Sequence, residues 1–268
     1  MAGFLDTFPQ SSSEPQFLAE FWAVMQAQAC CCSDALIRDL FAVNICNHED
    51  FASALASLLS AKLTDRAMAE PTLMRLIAST LKADPTITCA AASDIVATFQ
   101  RDPACPDLVT PFLFFKGFQA LQAHRIAHHL WQADRKPLAY HFQSRVNEKF
   151  GIDIHPAAQI GQRITIDHGT GIVIGETTII EDDVSLFQDV TLGGTGKNGG
   201  QRHPIIRQGC MIGAGAKILG YLEIGAYARV GAASVVLGNV PPRSTAVGNP
   251  ARIVRFGDMD QDFTNYQI

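Results

Sequence analysis

The chain has 268 residues, enough for two modest domains, and a net charge of −5, which argues against general nucleic-acid binding. No apolar run is long enough to span a bilayer and no basic segment with an apolar signal core opens the chain, so a cytoplasmic protein is expected, with no membrane partner. Its seven cysteines are odd in number, three are adjacent (Cys30, Cys31, Cys32) and none forms a C-x-x-C pair. Reduced thiols are therefore expected, with neither a zinc site nor a disulfide framework.

Residues 1–150 read as helical. Asn47-His48-Glu49-Asp50 resembles a helix start, and Asp84-Pro85 an N-cap with Pro at the first helical position. Asp102-Pro103-Ala104-Cys105-Pro106 must interrupt helix, because each Pro disfavours the α region at the residue before it. Phe114, Phe118 and Leu121 form an i, i+4, i+7 stripe predicted to lie on one helix running towards Trp131. His124 and His128 have a spacing that could bind metal, but no third ligand is near, so helix packing is the expected role.

From 151 the period changes. Ile154, Ile160 and Ile166 fall six apart, as do Ile174, Ile180, Leu186 and Leu192, and then Ile206, Ile212, Ile218, Ile224, Val230 and Val236. A six-residue beat marks a parallel β-helix, each repeat a short strand and a turn. Three hexads make one triangular coil, so residues 18 apart should stack. Two interruptions break the beat: two extra residues between Ile166 and Ile174, and GGTGKNGGQRHP between Leu192 and Ile206. The prolines of VPPRSTAVGNPARIV should close the coil, and 257–268 reads as a polar, flexible tail.

Interruptions of a regular scaffold are where sites tend to be built. Each carries a histidine, His168 in Asp167-His168-Gly169-Thr170-Gly171 and His203 after Arg202. An imidazole can serve as general base near neutral pH; the competing reading of His168 is a turn histidine. Asp153, close to one coil upstream, could meet that ring and fix its tautomer. His155, before Pro156, reads as a turn residue. GGTG is weak as a phosphate motif, lacking the strand–loop–helix setting and the Lys-Ser/Thr ending. Across 193–257 the bases are Lys197, Arg202, Arg207, Lys217, Arg229, Arg243, Arg252 and Arg255, and the only acid is Glu223. That imbalance points to an anionic ligand or to a solvated face.

The motifs DIHPAAQIG, DHGTGIVIGE, VTLGGTGK, RHP, IGAGAKILG and GNPARIV, in this order, resemble the serine O-acetyltransferases of bacteria and plants. So do HEDFASALASLLSAKL, RDPAC and FKGFQALQAHRIAHHLW in the helical half. The N-terminus through the three cysteines matches poorly, and Gly169 stands where some relatives have Ala.

The resemblance implies an α+β chain: a helical oligomerisation domain (1–150), a left-handed parallel β-helix catalytic domain (151–256) and a flexible tail (257–268). It implies acetyl transfer from acetyl-CoA, as co-substrate, to L-serine, with no metal, and competitive feedback by L-cysteine. His168 matches the general base and Asp153 its orienting carboxylate. Asp102, Asp167, Arg202, His203 and Glu176 match the amino-acid pocket, Arg202 being suited to a carboxylate through its planar fork. Gly194, Thr195, Ala214, Lys217 and Ala232 match the CoA ledge. A homotrimer or a hexamer of paired trimers is implied. So is docking of Ile268 into O-acetylserine sulfhydrylase. The competing readings are an acyltransferase for a sugar hydroxyl, a zinc enzyme of the γ-carbonic-anhydrase type using His155, His168 and His203, and a non-enzymatic scaffold for the sulfhydrylase.

Overall fold

The structure, a computed structural model, describes residues 13–32, 34–196 and 199–256. It divides into two compact units, 1–114 and 115–268. The helices end at Phe150 and the strands begin at Asp153. The packing boundary thus lies well before the expected division at 150, because two helices pack with the coils that follow them.

The first unit holds α1 (Glu14–Cys30), α2 (Arg38–Phe41), a π-helical turn (Ala42–Cys46), α3 (Phe51–Leu63), α4 (Glu70–Ala83), α5 (Thr86–Arg101) and α6 (Val109–Phe114). Phe21, Met25 and Ala29, four apart on α1, are buried. Phe21 meets Phe51 edge-on at 4.9 Å, and Phe51 lies 5.8 Å from Phe112. Asp50 starts α3 with a reciprocal cap, its Oδ1 accepting from the Ser53 amide at 2.8 Å. The Asp84 carboxylate accepts from the Thr86 amide at 3.2 Å, so it caps α5 across Pro85. Cys30 and Cys46 are joined in a disulfide, correcting the expectation of reduced thiols throughout. The end of α1 and the π-helical turn bring their Cα atoms to 6.2 Å, a juxtaposition that spacing along the chain does not reveal.

The second unit opens with α7 (Lys116–Gln132) and α8 (Lys136–Phe150). The predicted aromatic stripe is not one helix. Phe115 is extended (ψ 104°) and separates α6 from α7, so Phe114 is half-exposed while Phe118 and Leu121 are buried. His124 and His128 pack α7 onto the first coil: His128 Nδ1 is 2.8 Å from the Pro156 carbonyl, and a ring N–H of His124 bonds to that of Ala158. Gly117 lies so close to the Ile166 carbonyl that any Cβ there would overlap it. Arg125 caps the open end of the coil, donating to the carbonyls of Ile160 (3.2 Å) and Gly161 (2.7 Å).

Among the described residues fifteen strands follow: β1 (Asp153–Ile154), β2 (Gln159–Ile160), β3 (Thr165–Ile166), β4 (Val173–Ile174), β5 (Ile179–Ile180), β6 (Ser185–Leu186), β7 (Thr191–Gly193), β8 (Ile205–Ile206), β9 (Met211–Ile212), β10 (Lys217–Leu219), β11 (Glu223–Ile224), β12 (Arg229–Val230), β13 (Val235–Val236), β14 (Ser244–Gly248) and β15 (Ala251–Phe256). They form three sheets, with orders β1-β4-β7-β10-β13, β11-β8-β5-β2 and β15-β14-β12-β9-β6-β3, parallel but for the β14–β15 pair. The thirteen six-spaced aliphatic residues are buried, except half-buried Ile160. The uninterrupted register is 18: Val173 pairs with Thr191 and Lys217 with Val235. Across the first interruption it becomes 20 (Asp153 with Val173), and across the second 26 (Ile179 with Ile205). The prolines do not end the coil. Val240 bridges to Ile224, and β14 (Ser244–Gly248) pairs with β12 before turning back antiparallel as β15.

Candidate active site

The first interruption forms the turn after β3 (Thr165–Ile166). His168, Gly169 and Gly171 all have left-handed φ, at 56°, 73° and 81°. At Gly169 the left-handed backbone favours glycine, and a Cβ would lie 2.6 Å from Ile152 Cδ1, so that side chain would have to shift to admit one. The turn pushes the imidazole outward: its side chain is 72% exposed, with Nδ1 3.7 Å from the Asp167 carboxylate. Among the described residues this is its charged neighbour. Asp153 instead accepts a 2.6 Å hydrogen bond from Gln143 Nε2. Within one chain, then, Asp153 and His168 are not in hydrogen-bond contact, contrary to the simplest expectation from coil stacking, because the turn directs the ring to Asp167.

The second interruption lies over Glu176 and Thr177. The Thr177 hydroxyl accepts from the amides of Arg202 (3.0 Å) and His203 (3.1 Å), anchoring the RHP segment on the preceding coil. His203 is buried, and its Nδ1 accepts from the Thr177 amide at 3.2 Å. That bond assigns the proton of the neutral ring to Nε2. Burial, then the Arg202 charge, lowers the His203 pKa. Gly175 permits this placement, since any Cβ there would overlap the His203 ring. Arg202 pairs with Glu176, whose carboxyl is held below its ordinary value chiefly by that hydrogen bond. His155 joins the cluster electrostatically with Glu176, Asp153 and Arg202. It is more than a turn residue: Trp131 and Tyr140 flank its ring at 5.2 and 5.7 Å.

The remaining residues lie along the coil edge. Gly194 and Thr195 are exposed beyond β7 (Thr191–Gly193), and Thr195 faces Gly220, whose Cβ would lie 3.1 Å from its hydroxyl. Ala214 and Ala232 stack on successive coils, tied by the Ala233 amide to the Ala214 carbonyl at 2.7 Å. Lys217 is paired with Asp189 at 2.9 Å. Arg207 likewise bridges Glu181 (2.6 Å) and Glu223 (2.8 Å). Much of the basic excess is therefore answered by carboxylates on neighbouring coils, which a linear count cannot register. Asp102 belongs to the first unit, where its Oδ1 accepts from the Ala104 amide at 2.8 Å. Lys197, Ile268 and the tail lie outside the described residues. Among the described residues no group of three or more His, Cys, Asp or Glu side chains could hold a metal ion.

Sequence reading missed Thr177 and Gln143. Thr177 could have been found: it lies 26 residues before His203, the register of that coil.

Comparison with known proteins gives a consistent answer. Residues 21–123 match the family described as serine acetyltransferase, N-terminal. The serine acetyltransferase of Escherichia coli (strain K12) is 49% identical over 242 residues, covering 90% of this chain and 89% of that one. A serine acetyltransferase solved in complex with cysteine superposes with a TM-score of 0.90 at 45% identity, covering 93% of this chain and 99% of the other. One solved in complex with CoA gives 0.85 at 46% identity, covering 88% and 100%. The coil shares the left-handed parallel β-helix of these relatives. The chain belongs to the serine acetyltransferase family.

Proposed function

We propose that this chain transfers the acetyl group of acetyl-CoA to the hydroxyl of L-serine, giving O-acetyl-L-serine and CoA, the step that commits serine to cysteine synthesis. His168 takes the hydroxyl proton as the serine oxygen attacks the thioester, and Asp153 orients and stabilises the imidazolium that results. Arg202 receives the α-carboxylate in place of Glu176, beside His203. Asp102 and Asp167 receive the α-ammonium. The pantetheine arm lies along Gly194, Thr195, Ala214 and Ala232, where small side chains leave a low ledge, and Lys217 reaches the phosphates on leaving Asp189.

The observation that carries this reading is His168: an imidazole thrust into solvent by a left-handed turn that it shares with Gly169 and Gly171, in a chain 49% identical to an acetyltransferase over 90% of its length. His168→Ala should lower kcat for serine-dependent CoA release by about 10²–10⁴-fold. Full turnover in that variant would refute the assignment of the base. Substituting sugars for serine in the same assay separates the amino-acid reading from that of a sugar acyltransferase.

L-cysteine, differing from serine by one atom, competes for the same contacts. The coils associate as trimers, and the helical unit pairs trimers into hexamers. Ile268, with its terminal carboxylate, docks into O-acetylserine sulfhydrylase. The protein works in the cytoplasm; among the described residues no helix is long and apolar enough to cross a membrane.

A further inference from the structure

We infer that Gln143 is a positioning residue of the catalytic centre, holding the Asp153 carboxylate in place from helix α8; this rests on the reading of Asp153 as the partner of His168.

The device is a helix folded back along a strand. Gly151, at φ 66°, ends α8 and reverses the chain, its amide bonding to the Asn147 carbonyl at 2.9 Å. In β1 and the residue after it, Ile154 points into the coil, so Asp153 and His155 point outward. On α8, Tyr140 and Gln143 are three apart and share a face. The two pairs meet in reversed order. Gln143 Nε2 donates to Asp153 Oδ1 at 2.6 Å, and the Tyr140 ring meets His155 edge-on at 5.7 Å. One helix face is therefore laid along the outer face of the strand that carries the carboxylate.

The chemistry of the donor matters. His155 does not compete for the role: its Nδ1 accepts from the Ala157 amide at 3.1 Å, and burial lowers its pKa, disfavouring the charged ring. Gln143 is a neutral donor with no proton to lose. It occupies one carboxylate oxygen and leaves the other for an imidazolium. A lysine or arginine in its place would fix the geometry but cancel the charge that makes Asp153 useful.

The test compares the full-length enzyme with its Gln143→Leu, Gln143→Glu and Asp153→Asn variants, measuring kcat and both KM values across pH. Gln143→Leu should lose about tenfold or more in kcat, with KM for serine and for acetyl-CoA within about twofold of wild type. Gln143→Glu should work best at the acid end. There the two carboxyls share one proton, and Glu donates to Asp153 as Gln did. When that proton leaves, like charges push Asp153 away, so the ratio of variant to wild-type kcat should fall as pH rises. Asp153→Asn should be strongly impaired at every pH. A flat ratio for Gln143→Glu overturns the inference, even if Gln143→Leu is slow, since that pattern means packing alone. If Gln143→Leu does not fold, the nearly isosteric Glu variant still decides. Full activity in Asp153→Asn would instead sink the reading of Asp153 itself.

Discussion

The glycines that follow the six-spaced aliphatic positions look interchangeable in the sequence, but Gly175 is not. It adopts no left-handed φ, so its backbone would accept alanine; the obstacle is the His203 ring, 28 residues on in sequence and one coil away in space. Nor can His203 yield freely, since Nδ1 is held by the Thr177 amide and the ring is buried. Gly175→Ala should therefore cost about 1–3 kcal/mol in a urea melt and raise KM for serine, with a smaller effect on KM for acetyl-CoA. Unchanged serine KM would mean that His203 is not part of the amino-acid pocket. Two kinds of signal separate what the sequence disclosed here from what it hid. The break in the six-residue beat marks His168 as a candidate base and motif resemblance agrees, whereas the role of Arg202 rests on motif resemblance. The positions beneath them follow from register: Glu176 lies 26 before Arg202, Thr177 26 before His203 and Glu181 26 before Arg207. Ladders of partners are thus readable once the coil length is known. Gln143 is not readable in this way, because a helix folding back over a strand has no repeat to count.

At the level of elements, the same distinction explains the first unit. Caps are local chemistry, and Asp50 and Asp84 were recognisable as helix starts. The break at Phe115 was not, since 114–121 keeps a helical pattern of apolar residues across a residue whose backbone is extended. The disulfide is the clearest tertiary surprise. It links the last residue of α1 to the last residue of the π-helical turn, beside exposed Cys31 and half-exposed Cys32. Closing a loop of this length contributes roughly 3 kcal/mol in the chain-entropy account. Cys46→Ser should lower the melting temperature of unreduced protein, and reduction of wild type should reproduce the loss. Thiol labelling under denaturing, non-reducing conditions should leave two of the seven cysteines unmodified. Seven reactive thiols would show that the pair is reduced.

Across the molecule, three histidines of the second unit share an electrostatic fate that bears on stability. His124 is buried, its Nε2–H committed to the Ala158 carbonyl and its Nδ1 lone pair without a partner among the described residues. Charging it would place a proton where nothing accepts it, and burial holds its pKa well below 6.5. Burial lowers His155 and His203 as well. The sign follows from linkage. Above about 6.5 these rings are neutral both folded and unfolded, and they contribute no pH dependence. Below it the unfolded chain binds protons that the folded chain refuses, so stability is lost as pH falls from there through the lowered folded values. Each kcal/mol lost should move the melting temperature by about 2–4 °C for a unit of this size. The melting temperature of wild type should fall between pH 7 and pH 5. His124→Gln, which cannot bind the proton, should show a shallower fall even if it is less stable at pH 7. An identical slope in wild type and variant would mean that the acid loss comes from other groups, and that α7 does not hold its histidine neutral against the first coil.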